Sequence, residues 1–300
     1  MKGKKGIRIH KLIPYFMISP AIMVLVFVVI YPMAFSFWVS LHKWYLGKPL
    51  LFPFVGLRNY YTVIFKDSIF RISLVNTLIL LVICIPVEFT LGITLAILLN
   101  RDDIKGKKIF RSCLIMPVVI MPIVAGVLWK FKFHPSYGII NYLLGLVGIK
   151  KIEWLADPRF ALLSIMIVDI WQWTPFMFLV LYAGVLSLSK EPLEAGKVDG
   201  ASAWQLFRYL VIPLLTPIIV VALLIRTMDI IKLFDIVYVL TRGGPGDATE
   251  VLTLYNFRVG LNYFYMGRAA AISWIIAVIV IFLAQLYLRI SGAEFYKKGA

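Results

Sequence analysis

Six long apolar segments, separated by polar and basic loops, set the pattern of this sequence. They cover residues 12–39, 72–99, 114–128, 160–188, 210–231 and 268–288, the third range being only the core of its segment. A helix needs roughly 20 apolar residues to cross a bilayer, and each segment reaches that length with its flanks. Pro117 and Pro122 would kink the third segment, which needs neighbouring helices to satisfy the freed carbonyl groups. The pattern predicts an all-α integral membrane protein with six transmembrane helices.

The distribution of basic residues predicts how these helices are oriented. Residues 1–11 carry basic side chains and no acidic one, and a basic cluster at 105–111 follows the second helix. Because cytoplasmic loops are enriched in Lys and Arg, we expect residues 1–11 and the tail at 291–300 to be cytoplasmic, with 12–290 as the transmembrane domain. A signal peptide is the alternative for the first segment, but that segment is too long and lacks a clear cleavage site. The expected location is the cell membrane, which in an envelope with two membranes is the inner one.

The composition agrees with a membrane protein and excludes several other classes. Hydrophobic residues make up 61% of the 300 residues, and the mean hydropathy is +0.91, whereas soluble domains are about 45–50% apolar. The net charge of +16 is ordinary for loops that meet anionic lipid headgroups, and no basic–aromatic surface indicates nucleic-acid binding. Cys84 and Cys113 both lie in apolar stretches and are predicted to be small buried hydrophobic residues. Their spacing indicates neither a disulfide nor a zinc site. The three histidines form no metal cluster, so no metal site is predicted.

Several polar residues fall inside the predicted helices, where ionisable groups are costly. Glu88 lies roughly 18 Å along a helix from Asn100, which is mid-membrane. Asp169 and Gln172 share one helix face, Trp173 follows them, and Pro175 is a candidate break in that helix. Each of these groups either bonds within the helix bundle or faces a solute path, and the pattern alone leaves both open. The substrate-path candidates are Asn76, Glu88, Asp169, Gln172, Trp173, Asp229 and Asn256.

Charges of alternating sign recur every third residue near the end of the fifth apolar segment. They are Arg226, Asp229, Lys232 and Asp235. Neighbours at this spacing meet on one helix face, so they can pair along the helix. The simplest prediction is a ladder of charges that neutralises itself.

Residues 191–213 form an ordered polar interruption between the fourth and fifth apolar segments. We expect a short helix at 194–197, a turn at Asp199–Gly200 whose glycine has positive φ, and a second helix that starts near Ala201. Asp199 can bond the amides that follow it. Since four spans return the chain to the side of its N-terminus, this segment is expected in the cytoplasm.

The residues of this segment resemble a known signature. Glu194-Ala195, Asp199-Gly200-Ala201 and Ile212-Pro213 are similar to the EAA loop of ABC importer permeases, although Gly196 stands where the family has a second alanine and costs the helix roughly 1 kcal/mol. Trp171-Gln-Trp-Thr-Pro-Phe176 and Leu240-Thr-Arg-Gly-Gly-Pro-Gly246 resemble the carbohydrate branch, and the start of the chain resembles its MalF-like and UgpA-like members.

The resemblance implies a six-helix type I importer permease, with both termini cytoplasmic and a coupling loop at 189–209. The ATPase contact would be made by Glu194, Ala195, Gly196, Asp199, Gly200 and Ala201. The implied partners are a second, MalG-like permease, a dimer of ATP-binding-cassette ATPases, an extracytoplasmic solute-binding protein and the bilayer. ATP and Mg would be bound by the ATPase, and this chain, which lacks a GxxxxGK[ST] phosphate loop, would be a transport subunit without catalysis or cofactor.

A secondary transporter driven by protons or sodium is the alternative function. Glu88, Asp169 and Asp229 could couple to an ion, but an ion-driven carrier needs no ATPase dock, and inverted repeats are not evident. A membrane enzyme is excluded because no catalytic set is found. The solute is expected to be a sugar, an oligosaccharide or a polyol, and glycerol phosphate stays open because its transporters share these motifs.

Overall fold

The computed structural model describes residues 5–48, 52–101 and 104–290, and most of these residues are helical. Within them the only β-structure is an isolated antiparallel bridge between His42 and Phe54. The predicted cytoplasmic tail at 291–300 and the first four residues lie outside the described residues. The described chain forms two units.

The first unit consists of residues up to 66 together with 256–275. Its first span, predicted at 12–39, is continuous from α1 through a π-helical turn into α2 and ends at Ser40. Two short helical elements, at Arg58–Tyr61 and Thr62–Lys66, lie between the first two predicted spans. The helices are α1 (Lys5–Leu25), α2 (Tyr31–Ser40) and α3 (Arg58–Tyr61), with π-helical turns at Val26–Ile30, Thr62–Lys66 and Arg258–Asn262.

The second unit consists of residues 67–255 and the chain from 276 onward. Its helices are α4 (Ser68–Asn100), α5 (Lys107–Val119), α6 (Pro122–Lys132), α7 (Ile139–Leu146), α8 (Pro158–Ser187), α9 (Lys190–Val198), α10 (Ala203–Leu206), α11 (Ile212–Ile231) and α12 (Asp235–Leu240). A π-helical turn at Phe207–Val211 joins α10 to α11. Helices α13 (Leu252–Phe257) and α14 (Met266–Ile290) contain the points where the chain passes from one unit to the other.

Two aspartates fix where the two long central helices begin. Asp67 precedes α4, and its Oδ1 accepts hydrogen bonds from the amides of Ile69 and Phe70 at 3.1 Å. Asp157 precedes α8 and accepts from the Arg159 amide at 2.9 Å. Such side-chain caps satisfy amides that the first helical turn leaves free.

The described helices include five that are long and apolar enough to cross a membrane, and the α5–α6 pair makes a sixth if it is one span. The two helices of that pair meet at 99°. The predicted kink is therefore a full break: Pro117 stays inside α5 and Pro122 begins α6. The predicted break at Pro175 is wrong, because α8 runs through that residue to Ser187.

The core of the second unit is built on α4 and α8, which pack along each other. Gly92 allows this approach, since a Cβ there would lie 2.8 Å from Met177 Cγ and 3.0 Å from the backbone nitrogen of Phe178. Helix α11 packs against both. Cys84 is buried in this core as predicted, but Cys113 is exposed, so its predicted burial is wrong.

Candidate functional site

Three buried charges from three helices meet in the second unit. Glu88 comes from α4, Asp169 from α8 and Arg226 from α11. The Arg226 guanidinium donates from Nε to Glu88 Oε2 and from Nη2 to Glu88 Oε1, both at 2.7 Å. Nη2 also donates to Asp169 Oδ2 at 2.7 Å. We call these three residues the ion cluster.

The ion cluster is almost fully enclosed by protein. The side chains of Arg226, Glu88 and Asp169 are 1%, 0% and 2% exposed. Charges in such surroundings are screened little, and a planar guanidinium suits the bidentate geometry with Glu88. The cluster joins three helices and, with all groups ionised, carries one net negative charge.

The charge ladder predicted along the fifth segment is wrong for its first member. Arg226 pairs across the bundle with Glu88 and Asp169 instead of with its neighbour along the helix. Lys232 and Asp229 do pair as predicted, at 3.4 Å. Asp235 begins the separate helix α12, because the chain leaves α11 at Ile231.

Aromatic and amide groups on α8 extend the ion cluster. Trp173 places its ring 4.9 Å from Arg226 Cζ, which is a cation–π distance. Gln172 is buried and donates from Nε2 to the carbonyl of Ile120 at 2.8 Å. Ile120 stands at the break between α5 and α6, so Gln172 satisfies a carbonyl that the break frees.

A cavity of about 170 Å³ opens beside the ion cluster. Its wall includes Asp169, Trp173, Arg226, Asp229 and Lys232. Asp169 Oδ1 is buried and has no hydrogen-bond partner among the described residues. Asp229, which is 31% exposed, offers the cavity a carboxylate that can accept from a hydroxyl group, and an aromatic face can pack on an apolar one, so the wall offers chemistry for a polyhydroxylated solute.

Asn76 lies on α4 and anchors a loop. Its Nδ2 donates to the carbonyls of Glu250, Ala248 and Asp247 at 2.9, 3.2 and 3.3 Å. The amide group is therefore occupied by protein in this structure. Its predicted contact with solute stays a prediction.

Asn256 belongs to the first unit, so the structure does not group it with the ion cluster. Its Nδ2 donates to Ser273 Oγ at 2.8 Å. As with Asn76, a contact with solute remains a prediction for this residue.

The predicted coupling residues lie on α9 and in the turn that follows it. Helix α9 starts at Lys190, earlier than the predicted Glu194. Gly200 has a φ of +80°, which confirms the predicted turn. Glu194, Ala195, Asp199 and Gly200 are exposed, whereas Gly196 and Ala201 are half-buried.

The second helix of this segment begins at Ala203, two residues after the predicted Ala201, and Ser202 is its cap. Ser202 Oγ accepts from the Gln205 amide at 3.3 Å, and Gln205 Oε1 accepts from the Ser202 amide at 2.7 Å. This reciprocal capping box fixes the start of α10.

Gly196 has a packing reason that the sequence did not indicate. A Cβ at this position would lie 2.7 Å from Leu206 Cδ2 and 3.1 Å from Leu210 Cδ1. The departure from the family's alanine therefore lets α9 approach the residues that follow it closely.

Arg226 is the main residue that the sequence interpretation misplaced. It lies well inside a predicted span, whereas the other basic residue of the predicted spans, Arg268, lies at the edge of the last one. An intramembrane cation needs a partner, and Glu88 and Asp169 are intramembrane carboxylates. That charge balance was the available signal, whereas spacing along one helix favoured the wrong partners.

Comparison with a protein family and with curated proteins places the chain among transport proteins. Residues 88–291 match the family described as binding-protein-dependent transport system inner membrane component. A probable ABC transporter permease of Sinorhizobium fredii is 40% identical over 282 residues, covering 94% of this chain and 90% of that protein. The trehalose/maltose transport system permease protein MalF of Thermococcus litoralis is 36% identical over 279 residues, covering 92% of each chain.

Solved structures show the same fold. A chain of a bacterial ABC transporter involved in the import of the acidic polysaccharide alginate superposes with a TM-score of 0.80 at 24% identity, covering 94% of this chain and 96% of that one. A second structure of a bacterial alginate ABC transporter, in complex with an alginate pentasaccharide-bound periplasmic protein, gives a TM-score of 0.81 at 22% identity, covering 97% and 98%.

The match to the family covers more than half of the chain, and the two relatives cover nearly all of it. The chain thus has the fold of an ABC importer permease, is a transport subunit, and belongs to the family of binding-protein-dependent transport system inner membrane components.

Proposed function

We propose that this chain pairs with a second, MalG-like permease to line the path by which an ATP-driven importer moves a carbohydrate across the cell membrane. The observation that carries the proposal is the exposed helix–turn–helix of α9 and α10, which lies between two apolar helices and matches the importer signature. The names of two relatives, for trehalose/maltose and for trehalose, support a sugar as the solute.

A dimer of ATPase subunits would dock on the coupling segment, defined as residues 190–206. Val198 and Trp204 are large apolar residues, 88% and 64% exposed, next to the turn at Gly200. A groove of about 340 Å³ lies between the turn and Tyr209. Exposed apolar groups beside a groove favour a protein partner. ATP and Mg would be bound by that partner, since the sequence of this chain has no phosphate loop.

The coupling segment is connected directly to two helices of the ion cluster. Two residues separate the end of α8, which carries Asp169, from the start of α9, and α10 continues through a π-helical turn into α11, which carries Arg226. The two charged residues lie roughly 30 Å from the coupling segment along these helices. Closure of the ATPases would move α8 and α11 at the ends that adjoin the coupling segment. The ion cluster would keep the distant parts of these two helices fixed to α4, so that the three helices move as one body.

The cavity beside the ion cluster favours a neutral solute. Its wall holds three carboxylates, on Asp169, Asp229 and Asp235, against the two cations of Arg226 and Lys232. The sum is one net negative charge, which repels an acidic sugar. The volume of about 170 Å³ is below the roughly 300–1,000 Å³ of a complete ligand site, so the second permease would supply the rest of the wall.

The expected orientation places residues 1–11, the coupling segment and the tail in the cytoplasm. Basic residues concentrate at 1–11 and 105–111, the loops assigned to that side. The loops on the opposite side would meet an extracytoplasmic binding protein. In an envelope with two membranes, the location would be the inner membrane.

The solute assignment can be tested with the complex in proteoliposomes. The chain is co-expressed with the permease, ATPase and binding protein encoded beside it, and uptake is measured for trehalose, maltose, a polyol, glycerol phosphate and alginate oligosaccharides. We expect saturable, ATP-dependent uptake of a neutral sugar. Uptake of only the acidic solutes would contradict the charge argument.

The coupling residues can be tested with a matched pair on α9. Glu194→Ala should lower ATPase activity stimulated by the loaded binding protein at least tenfold, or release the ATPase from the complex. Glu191→Ala removes the same group from the first turn of α9, where it is also exposed, and should stay within twofold of the wild type. Equal behaviour of the two variants would remove Glu194 from the ATPase contact.

The solute path can be tested at Asp229, which is 31% exposed and lines the cavity. Asp229→Asn keeps the shape but weakens a charged hydrogen bond, and we expect the KM for uptake to rise about tenfold. Glu153→Gln, at an exposed carboxylate away from the cavity wall, is the control. An unchanged KM in Asp229→Asn would exclude this residue from the path.

A further inference from the structure

The first unit contains a basic pocket that the transport function does not explain. The cavity has a volume of about 380 Å³, and its wall includes Lys43, Arg58, Lys66 and Arg268. All four side chains are exposed. None of them forms an ion pair with a carboxylate of the described residues. The pocket therefore gathers four positive charges that the described chain leaves unpaired.

The surrounding sequence offers these cations no counter-charge. Residues 1–66 and 256–275, which make up the first unit, contain no Asp or Glu, although the chain has 15 acidic residues. Asp67 is the first acidic residue along the chain, and its carboxylate accepts from the Ile69 and Phe70 amides and from the Tyr255 hydroxyl. A ligand that brings negative charge would therefore lower the positive charge gathered in the pocket.

The backbone around the pocket is held in place by close contacts. Asn59 is buried and donates from Nδ2 to the carbonyls of Ser40 and His42 at 2.7 and 2.9 Å. The Gly267 amide donates to the Trp44 carbonyl at 3.2 Å, and a Cβ at Gly267 would lie 2.1 Å from the His42 carbonyl oxygen. The glycine allows the start of α14 to approach the residues that follow α2. The pocket is thus a formed site and not a chance meeting of long side chains.

The ends of two candidate spans lead us to expect the pocket at the level of a membrane surface. Lys43 follows the last residue of the first span, Ser40, by three positions, and Arg268 is the third residue of α14. Aromatic residues in its wall, Trp44 and Tyr265, are of the type that concentrates at bilayer interfaces.

Helix α3 and the π-helical turn that follows it, which carry Arg58 and Lys66, also present an apolar stripe. Leu57, Tyr61, Ile64 and Phe65 recur at helical spacing and are between 40% and 70% exposed. An exposed apolar face flanked by cations is characteristic of a helix that lies in the interface of a bilayer. A site for an acidic protein surface would not need this stripe, so the combination favours a lipid.

We infer that this pocket binds the phosphodiester headgroup of an anionic phospholipid, whose acyl chains lie against the apolar stripe. Lys43, Arg58, Lys66 and Arg268 would face the phosphate oxygens, which are good acceptors for such donors. The lipid would fix the end of the first span to the start of α14, the two elements that the pocket joins.

The test uses the assembled complex, purified in neutral detergent and stripped of lipid. The probe is dihexanoyl phosphatidylglycerol, and dihexanoyl phosphatidylcholine and inorganic phosphate are titrated in parallel. The pocket variant is Lys43→Gln with Arg268→Gln. The matched control is Lys48→Gln with Lys150→Gln, which removes two exposed lysines that do not line the pocket.

We expect the pocket variant to bind phosphatidylglycerol about thirty-fold more weakly, which corresponds to about 1 kcal/mol for each cation at a membrane surface. The control should bind within threefold of the wild type, and phosphatidylcholine should bind weakly to all three proteins. If the pocket variant does not assemble, Lys66→Gln alone should weaken binding about fivefold on the same basis. Equal affinity for phosphatidylglycerol in wild type and pocket variants would overturn the inference.

Two further outcomes would also overturn it. If inorganic phosphate binds the wild type as tightly as phosphatidylglycerol and is lost in the variant, the pocket is a site for a free anion. If lipid binding is unchanged and the variant needs more loaded binding protein to stimulate the ATPase, the pocket receives an acidic protein surface. A result of either kind leaves the proposed transport function intact, because uptake is measured separately.

Discussion

Replacing Arg226 with Met should destabilise the protein more than any other single change at its charged residues. The substitution keeps an apolar chain of similar length but removes three hydrogen bonds of 2.7 Å to Glu88 and Asp169. It leaves two carboxylates buried side by side without a cation.

The expected loss follows from the burial of the ion cluster. Breaking a buried ion pair by removing one partner costs about 3–5 kcal/mol, because the remaining charge is unpaired in a medium of low polarity. A loss of this size lowers the ratio of folded to unfolded protein at least a hundredfold. Lys232→Met is the matched control, since Lys232 pairs with Asp229 while 65% exposed, and such pairs contribute about 0–1 kcal/mol.

The free energy of unfolding can be measured by chemical denaturation of the purified chain in detergent micelles, with helix content as the signal. Replacing all three members, as Glu88→Met, Asp169→Leu and Arg226→Met, should restore most of the loss, because an apolar substitute for a buried ion cluster is often neutral. The reasoning is refuted if Arg226→Met unfolds within 1 kcal/mol of the wild type, or if the triple variant is less stable than the single one.

Three further substitutions test local features of the fold and the coupling segment. Asn76→Ala should cost about 1–3 kcal/mol and speed hydrogen exchange at residues 247–250, since it removes their shared donor; unchanged exchange there would contradict the anchoring role. Ser202→Ala should cost about 1 kcal/mol by removing the cap of α10, and its effect should show as faster exchange confined to the coupling segment. Gly92→Ala should cost about 1–3 kcal/mol in thermal unfolding, because the added Cβ would meet the backbone of α8. In the control Gly145→Ala the added Cβ would have no atom within 4 Å, so this variant should be neutral or slightly stabilised.

The spans were the most predictable part of the fold. Their positions follow from apolar length alone, because a bilayer requires one long apolar helix for each crossing. The break at Ile120 was harder to predict, since two prolines indicate a bend but not its angle of 99°. Pro175, by contrast, is accommodated within α8, so a proline by itself does not predict a break.

The coupling segment could be predicted in outline because its signals are local. Gly200 marks the turn, and the Ser202-Ala-Trp-Gln205 sequence is a capping-box pattern that would have placed the start of α10 correctly. The start of α9 at Lys190 was not predicted, although Pro192 fits a first helical turn, where the amide that proline lacks would have no intrahelical partner.

The ion cluster could not be predicted from local spacing. Its members are separated by 57 and 138 positions along the chain, and their pairing depends on the rotation of three helices about their axes. The same is true of Asn76, whose carbonyl partners lie more than 170 positions away. For such contacts the sequence indicates only that buried polar groups need partners.

The energy source for uptake tests the central claim most directly. The chain is reconstituted in proteoliposomes with the permease and ATPase subunits encoded beside it, and uptake is followed with ATP inside or with an imposed proton or sodium gradient. The account predicts uptake that requires ATP and the loaded binding protein, together with ATPase activity that the loaded binding protein stimulates. Uptake by the chain alone, driven by an ion gradient and indifferent to ATP, would contradict it.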